Sequence, residues 1–259
     1  MVTQLKQYHR MATLTFILVL ALVFVGAVVR ASGAGMGCPD WPKCFDQWVP
    51  PVSESQLPAH YHELYAERGY ADTHFNVVKT WTEYMNRLLG TVVGLSSIGM
   101  GISAFGFWRQ RRGLFIASWL IVLGIGFEGW LGSVVVDSQL HSLMVTLHLL
   151  VALVIVLALV WCRFESQLNN AAQTISLPER WGLWIVFWGF VAVAGLGMIL
   201  RGQIDTFNQT LQVSLSHFGQ LKLLGSIQIH QLLAVSVALI ALAQFGLLVF
   251  RYQVSRAVS

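Results

Sequence analysis

Three polar side chains, Glu83, Asn86 and Arg87, fall inside Trp81-Thr-Glu-Tyr-Met-Asn-Arg-Leu-Leu-Gly90, where a long apolar run begins. Separations of three and four residues place them on one helix face. Ionisable groups at the start of a membrane helix are costly, so they mark either a functional site or an interfacial Glu–Arg pair. Two histidines share their setting. His148 and His230 each lie about five residues into an apolar run. At a rise of 1.5 Å per residue, both would sit roughly 7–8 Å below the helix ends, level with Asn86. A lone intramembrane histidine commonly serves packing. Two at one level, beside a Glu–Asn–Arg cluster, match what haem ligation inside a helix bundle requires. A proton relay is the rival chemistry. Glu128 lies midway along another apolar run, where it serves either a packing hydrogen bond or a proton path.

The elements that carry these residues follow from composition. Of 259 residues, 56% are hydrophobic and 11% charged, against about 25% charged in soluble domains. The spacing predicts an all-α polytopic membrane protein, because only closed backbone hydrogen bonding is tolerated in lipid. Six spans are expected at 12–30, 84–107, 114–135, 144–162, 181–200 and 226–250. The first is read as a helix and not a cleaved leader, since its apolar run is long and no small-residue cleavage site follows. The net charge of +4 reflects Lys and Arg at loop ends and does not point to nucleic acid. Lys6, Arg10, Arg109, Arg111, Arg112, Arg163, Arg180, Arg251 and Arg256 fall on one side. The positive-inside rule makes that side the cytoplasm and places both termini there. The expected location is a bacterial inner membrane.

The long outer segment, 31–82, contains Cys38-Pro-Asp-Trp-Pro-Lys-Cys44. The two cysteines can close a tight loop as a disulfide, which the outer compartment permits, or act as a metal pair. No further Cys or His stands at ligand spacing nearby, which favours the disulfide. His60, His62 and His74 are read as surface or loop-packing residues. Cys162 is read as a small buried residue, and Trp41, Trp48 and Trp81 suit an interfacial aromatic belt. The chain also repeats itself. Gly26-Ala-Val-Val-Arg30 at the end of span one corresponds to Gly197-Met-Ile-Leu-Arg201 at the end of span five. Asn86-Arg-Leu-Leu-Gly90 in span two corresponds to His230-Gln-Leu-Leu-Ala234 in span six. Spans five and six therefore read as a parallel copy of spans one and two. The domains are then 1–165, a first four-helix bundle with its outer loop, and 166–259, half of a second, related bundle.

These motifs resemble the haem A synthase family. The resemblance rests on Gly26-x-x-x-Arg30, Gly33-x-Gly35-x-x-Cys38-Pro-Asp-Trp-Pro-x-Cys44, Lys79-x-Trp81-x-Glu83-x-x-x-Arg87, Gly129-Trp-Leu-Gly132, Val145-Thr-Leu-His148-Leu149, Gly197-x-x-x-Arg201 with Gln203-Ile-Asp205, and Ile229-His230, in the family's order. It implies eight helices in two four-helix bundles, with haem held between the second and fourth helix of each. One half would bind haem b. The other would oxidise the C8 methyl of haem O to the formyl of haem A for terminal oxidases. It further implies a catalytic role for Glu83, haem-iron ligation by His148 and His230, and a supporting disulfide between Cys38 and Cys44.

This chain departs from the pattern twice. Asn86 stands where the family usually has histidine, which would leave His148 as sole axial ligand and one face of the haem open. Asn86 would then face that open side. The sequence also ends before the eighth helix that would carry the partner of His230, so either a separate chain or a second copy supplies two helices, or the second site holds haem through one ligand or stands empty. Arg30, Arg87 and Arg201 are read either as haem-propionate partners or as interfacial anchors. Haem O synthase or terminal oxidase assembly factors are the expected partners, together with an electron donor. Two other functions fit the same residues: a non-catalytic haem-binding or oxidase-assembly protein, and a small proton-coupled transporter.

Overall fold

The computed structural model describes residues 2–167, 177–210, 225–241 and 243. The described residues contain helices and no β-strand beyond an isolated bridge between Cys44 and Gln47. Contacts divide the chain into two compact units, Met1–Ala171 and Ala172–Ser259.

The first unit is built from α1 (Val2–Ala31), α3 (Val77–Ser103), α4 (Arg112–Asp137) and α5 (Ser142–Gln167), with the single turn α2 (Tyr61–Leu64) in the long connection. All four long helices are apolar and long enough to cross a bilayer. The unit is therefore that of a polytopic membrane protein. α3 begins seven residues before the expected boundary at 84. Its start is set by Asn76, whose side chain accepts the Lys79 amide at 3.0 Å as an N-cap. Hydropathy marks where a helix enters lipid, and α3 starts above that level among loop contacts. α1 ends with Gly33 in the left-handed region at φ 66°. There the Gly33 amide reaches the Arg30 carbonyl and the Ala34 amide the Val29 carbonyl, the paired bonds of a Schellman turn.

Helix α1 packs on α3 and α5, and α4 packs on the same two. The four helices thus form a ring in which α3 and α5 stand diagonally opposed. The end bearing Arg109–Arg112 is filled by Tyr8, Ala12, Met100, Phe107, Leu114, Leu159 and Cys162, all buried in one cluster. The Tyr8 ring meets Phe107 edge-on at 5.1 Å, and its hydroxyl hydrogen-bonds Ser118 at 2.7 Å. Thr15 and Ser96 join α1 to α3 at 2.8 Å. Arg111 pairs with Glu165 at 2.9 Å between the ends of α4 and α5. Lipid is as apolar as these side chains, so close packing and interhelical bonds of on the order of 0.6 kcal/mol each hold this end together.

The opposite end carries the loop, which has its own core. Phe45 stands at its centre, with Tyr61, Tyr65, Tyr70 and Phe75 edge-on at 5.4–6.3 Å. Phe45 and Asp46 both take positive φ, and the Asp40 carboxylate accepts their amides at 2.6 and 2.8 Å. Cys38 and Cys44 are disulfide-bonded within this core. Burial, then the nearby Asp40 charge, pushes the Tyr65 phenol up to about 12, and burial raises Tyr70 as well. His62 packs on Tyr61 and hydrogen-bonds the Tyr70 carbonyl at 2.8 Å, while His60 and His74 are exposed.

The second unit contains α6 (Leu177–Thr210) and α7 (Gly225–Ala241). Its apolar helical stretches, Trp184–Gly197 and Gly225–Ala241, are shorter than those of the first unit among the described residues. Span six was expected to reach 250; residues 242 and 244–250 lie outside the described set. The two helices approach at two glycines. A Cβ on Gly189 would stand 2.8 Å from Val237, and one on Gly197 3.0 Å from the His230 ring. Small residues at such crossings let helix backbones come close in lipid.

Candidate functional site

The loop and α3 are joined through Glu83 and Arg87. Glu83 is 4% exposed. One of its oxygens accepts the Cys38 amide at 3.0 Å, and the other pairs with Arg87. Arg87 also donates to the carbonyls of Asp40 at 2.6 Å, Lys43 at 2.9 Å and Cys38 at 3.4 Å. Both terminal nitrogens of Arg87 are thus spent on the disulfide loop and Glu83. The guanidinium anchors the loop, and the propionate role drawn from the resemblance has only its Nε left to draw on. Thr80 adds a bond to the Gly37 carbonyl at 2.8 Å. Gly37 is required here, because a Cβ would lie 2.5 Å from the Lys79 carbonyl oxygen. Farther along, Arg68 holds the Pro39 carbonyl at 3.0 Å and pairs with Asp137 at the end of α4. The loop is therefore tied to both α3 and α4.

Beneath it lie polar atoms with no partner. Asn86 Oδ1 is buried and makes no hydrogen bond; a Cβ on Gly26 of α1 would sit 3.8 Å from it. His148 on α5 turns towards α4, where a Cβ on Gly132 would stand 3.8 Å from its Cε1. Gly26 and Gly132 each precede the end of their helix by five residues. By this measure Asn86 and His148 share a level roughly 7–8 Å below the helix ends. Counting from the early start of α3 would place Asn86 deeper. The His148 Nδ1 lies against a carboxylate oxygen of Glu128 at ion-pair separation. The two are not aligned as an N–H···O hydrogen bond, and Nδ1 and the other Glu128 oxygen both lack one. Glu128 and Gly132 are four residues apart and present one face of α4 to the ring.

In the second unit His230 Nδ1 is likewise buried without a hydrogen bond, with Gly197 closely opposed. Arg201 lies on α6, and its side chain falls outside the described set; Arg30 occupies the exposed side of the last turn of α1. The structure thus gathers Glu83, Arg87 and the Cys38–Cys44 loop into one cluster and places Asn86 and His148 inside the same bundle. Among the described residues, no group of three or more His, Cys, Asp or Glu side chains converges as a bare-ion site. Half-buried imidazoles on bundle helices, their Nδ1 atoms buried without hydrogen-bond partners, fit a planar iron macrocycle better than a caged ion.

The family model described as cytochrome oxidase assembly protein (COX15-CtaA) matches residues 9–259. The chain belongs to this family. Curated haem A synthases are similar to it. One from Shewanella oneidensis is 30% identical over 62% of this chain and 47% of its own length. One from Methylobacterium radiotolerans is 29% identical over 56% of this chain and 42% of its own. One from Brucella ovis is 27% identical over 72% of this chain and 55% of its own. The chain spans about half the length of the curated relatives it matches. No solved structure matches it. Within this membrane family, the side chain that sequence reasoning undervalued is Glu128. Its signal was present as an acid at mid-span, and the cost of that placement pointed to a partner.

Proposed function

We propose that the protein acts in haem A formation, oxidising the C8 methyl of haem O to a formyl group, with the first unit holding the substrate and an external oxidant taking up the four electrons while dioxygen or water supplies the oxygen atom. The observation that carries this reading is His148. Its Nδ1 is buried against an acid on α4, while its side chain is 41% exposed, which leaves the rest of the ring open to a ligand. When bound, the haem supplies the iron centre and the methyl group to be oxidised. His148 would hold the haem iron through its imidazole. Asn86, on the diagonally opposed helix, would offer an amide in place of a second imidazole. Glu83 holds a carboxylate at the junction of loop and α3, where it can accept or return a proton. The Arg87 guanidinium and the Cys38 amide fix its two oxygens. His230 would serve a haem b in the second unit. We place the protein in a bacterial inner membrane with both termini cytoplasmic, a reading supported by the Arg109–Arg112 cluster at the end opposite the loop.

The full engagement of Glu83 favours a second reading, a haem-binding assembly protein in which this acid serves only to seat the loop. Expression of the full chain with a haem O synthase, followed by chromatography of the extracted haem, decides between them. The enzyme yields haem A or its hydroxylated intermediate, and Glu83→Gln abolishes both while haem remains bound. Unchanged haem A formation in that variant would refute the catalytic role. Bound haem without conversion in the parent chain would establish the assembly reading.

A further inference from the structure

Glu128 is the acid that the expected site leaves out and the fold brings in. It sits midway along α4, and its side chain is 12% exposed. One carboxylate oxygen faces His148 Nδ1, and the other has no partner. His148 Nδ1 in turn has no hydrogen-bond partner among the described residues. The two groups therefore face each other at a depth where an unpaired polar group is costly. Gly132, one turn farther on the same face, leaves space beside the Cε1 edge of the ring. We propose that Glu128 is a positioning residue that holds His148 as its Nδ1–H tautomer, so that Nε2 is the nitrogen presented to a metal centre. The small ring rotation that aligns N–H with the carboxylate completes the pair. Carboxylates behind ligating histidines fix ring orientation and raise ligand basicity. The inference deepens the haem reading above and rests on it only for the identity of the metal centre.

The test has one arm without haem and one with it. In haem-free full-length protein carrying 15N-labelled histidine, assigned by comparison with His148→Gln, His148 should show a protonated Nδ1 and a bare Nε2. Glu128→Leu should shift it towards the Nε2–H form that prevails in free histidine. A parent His148 that is already Nε2–H, or that is doubly protonated, overturns the proposal, as does an unchanged Glu128→Leu spectrum. In protein loaded with protohaem, Glu128→Leu should raise the midpoint potential and lower the iron–histidine stretching frequency in resonance Raman. Glu128→Gln, which keeps an acceptor of the same length, should show a smaller change in both. It alone decides should the leucine variant not fold. Parent values in every folded variant overturn the proposal. Retention of the haem spectrum by His148→Ala would sink the ligand assignment, while the haem-free arm would still report on the tautomer.

Discussion

The α1–α3 pair and the α6–α7 pair share a plan and differ at the residue that matters most. In each, the glycine of a G-x-x-x-R motif on one helix opposes a polar side chain on the next. Gly26 meets Asn86 and Gly197 meets His230. The opposition is tighter in the second pair, where a Cβ on the glycine would come within 3.0 Å of the ring, against 3.8 Å from the amide in the first. The repeat read from sequence thus has a counterpart in contacts. One copy presents an imidazole, and the other presents a group that cannot ligate iron in the ordinary way. A duplicated scaffold can keep its packing while its two sites diverge in chemistry.

The strongest way to break this comparison is to remove the imidazoles in turn. His148→Ala should abolish haem binding in the first unit almost completely, and His230→Ala should leave that signal intact. Difference spectra of the purified full chain check both, and equal losses would mean the units are not independent sites. Asn86→His should erase the difference between the pairs. The expected outcome is conversion of the first-unit haem to a sharp, low-spin spectrum with loss of oxidation, read by absorption and electron paramagnetic resonance.

A smaller effect tests the packing. Gly197→Ala forces the His230 ring to move and should destabilise the second unit by about 1–3 kcal/mol, whereas Gly26→Ala should cost less than about 0.5 kcal/mol. Thermal unfolding in detergent should rank them in that order. The smallest effect concerns the cap over the first pair. Unfolded phenols titrate near pH 10, and Tyr65 is held up at about 12 by burial. Its folded value lies above its unfolded one. Its contribution is therefore complete below about pH 10 and is lost as pH rises towards 12. Phenolate absorbance during alkaline titration should show late-titrating tyrosines, followed by loosening of the loop. Titration of all the tyrosines near 10 would contradict the buried loop core.

Much of this fold was legible because lipid imposes a simple rule. Apolar runs must be helices, and the expected spans fall inside α1, α3 with its short 3-10 extension Ala104–Phe107, α4 and α5. The cysteine pair was legible from its spacing and its surroundings. The start of α3 was not, since it is fixed by the Asn76 cap and loop contacts and not by hydropathy. The use of Arg87 was not legible either. Its carbonyl partners belong to the backbone of Cys38, Asp40 and Lys43, and a backbone carbonyl carries no sequence label. Glu128 and His148 are twenty residues apart on successive helices, and only the rotation of α4 against α5 brings them together.

At Gly37 the loop meets α3 main chain to main chain, with no side chain between them to adjust at that point. A contact of that kind has no rotamers of its own. It is either seated or displaced. The Cys38 amide that holds Glu83 is the next residue along, so any side chain introduced at position 37 lifts the disulfide ring and the clasp on that carboxylate together. The loop and the membrane acid are thereby bound to one mutational fate, although one lies outside the lipid and the other at its edge.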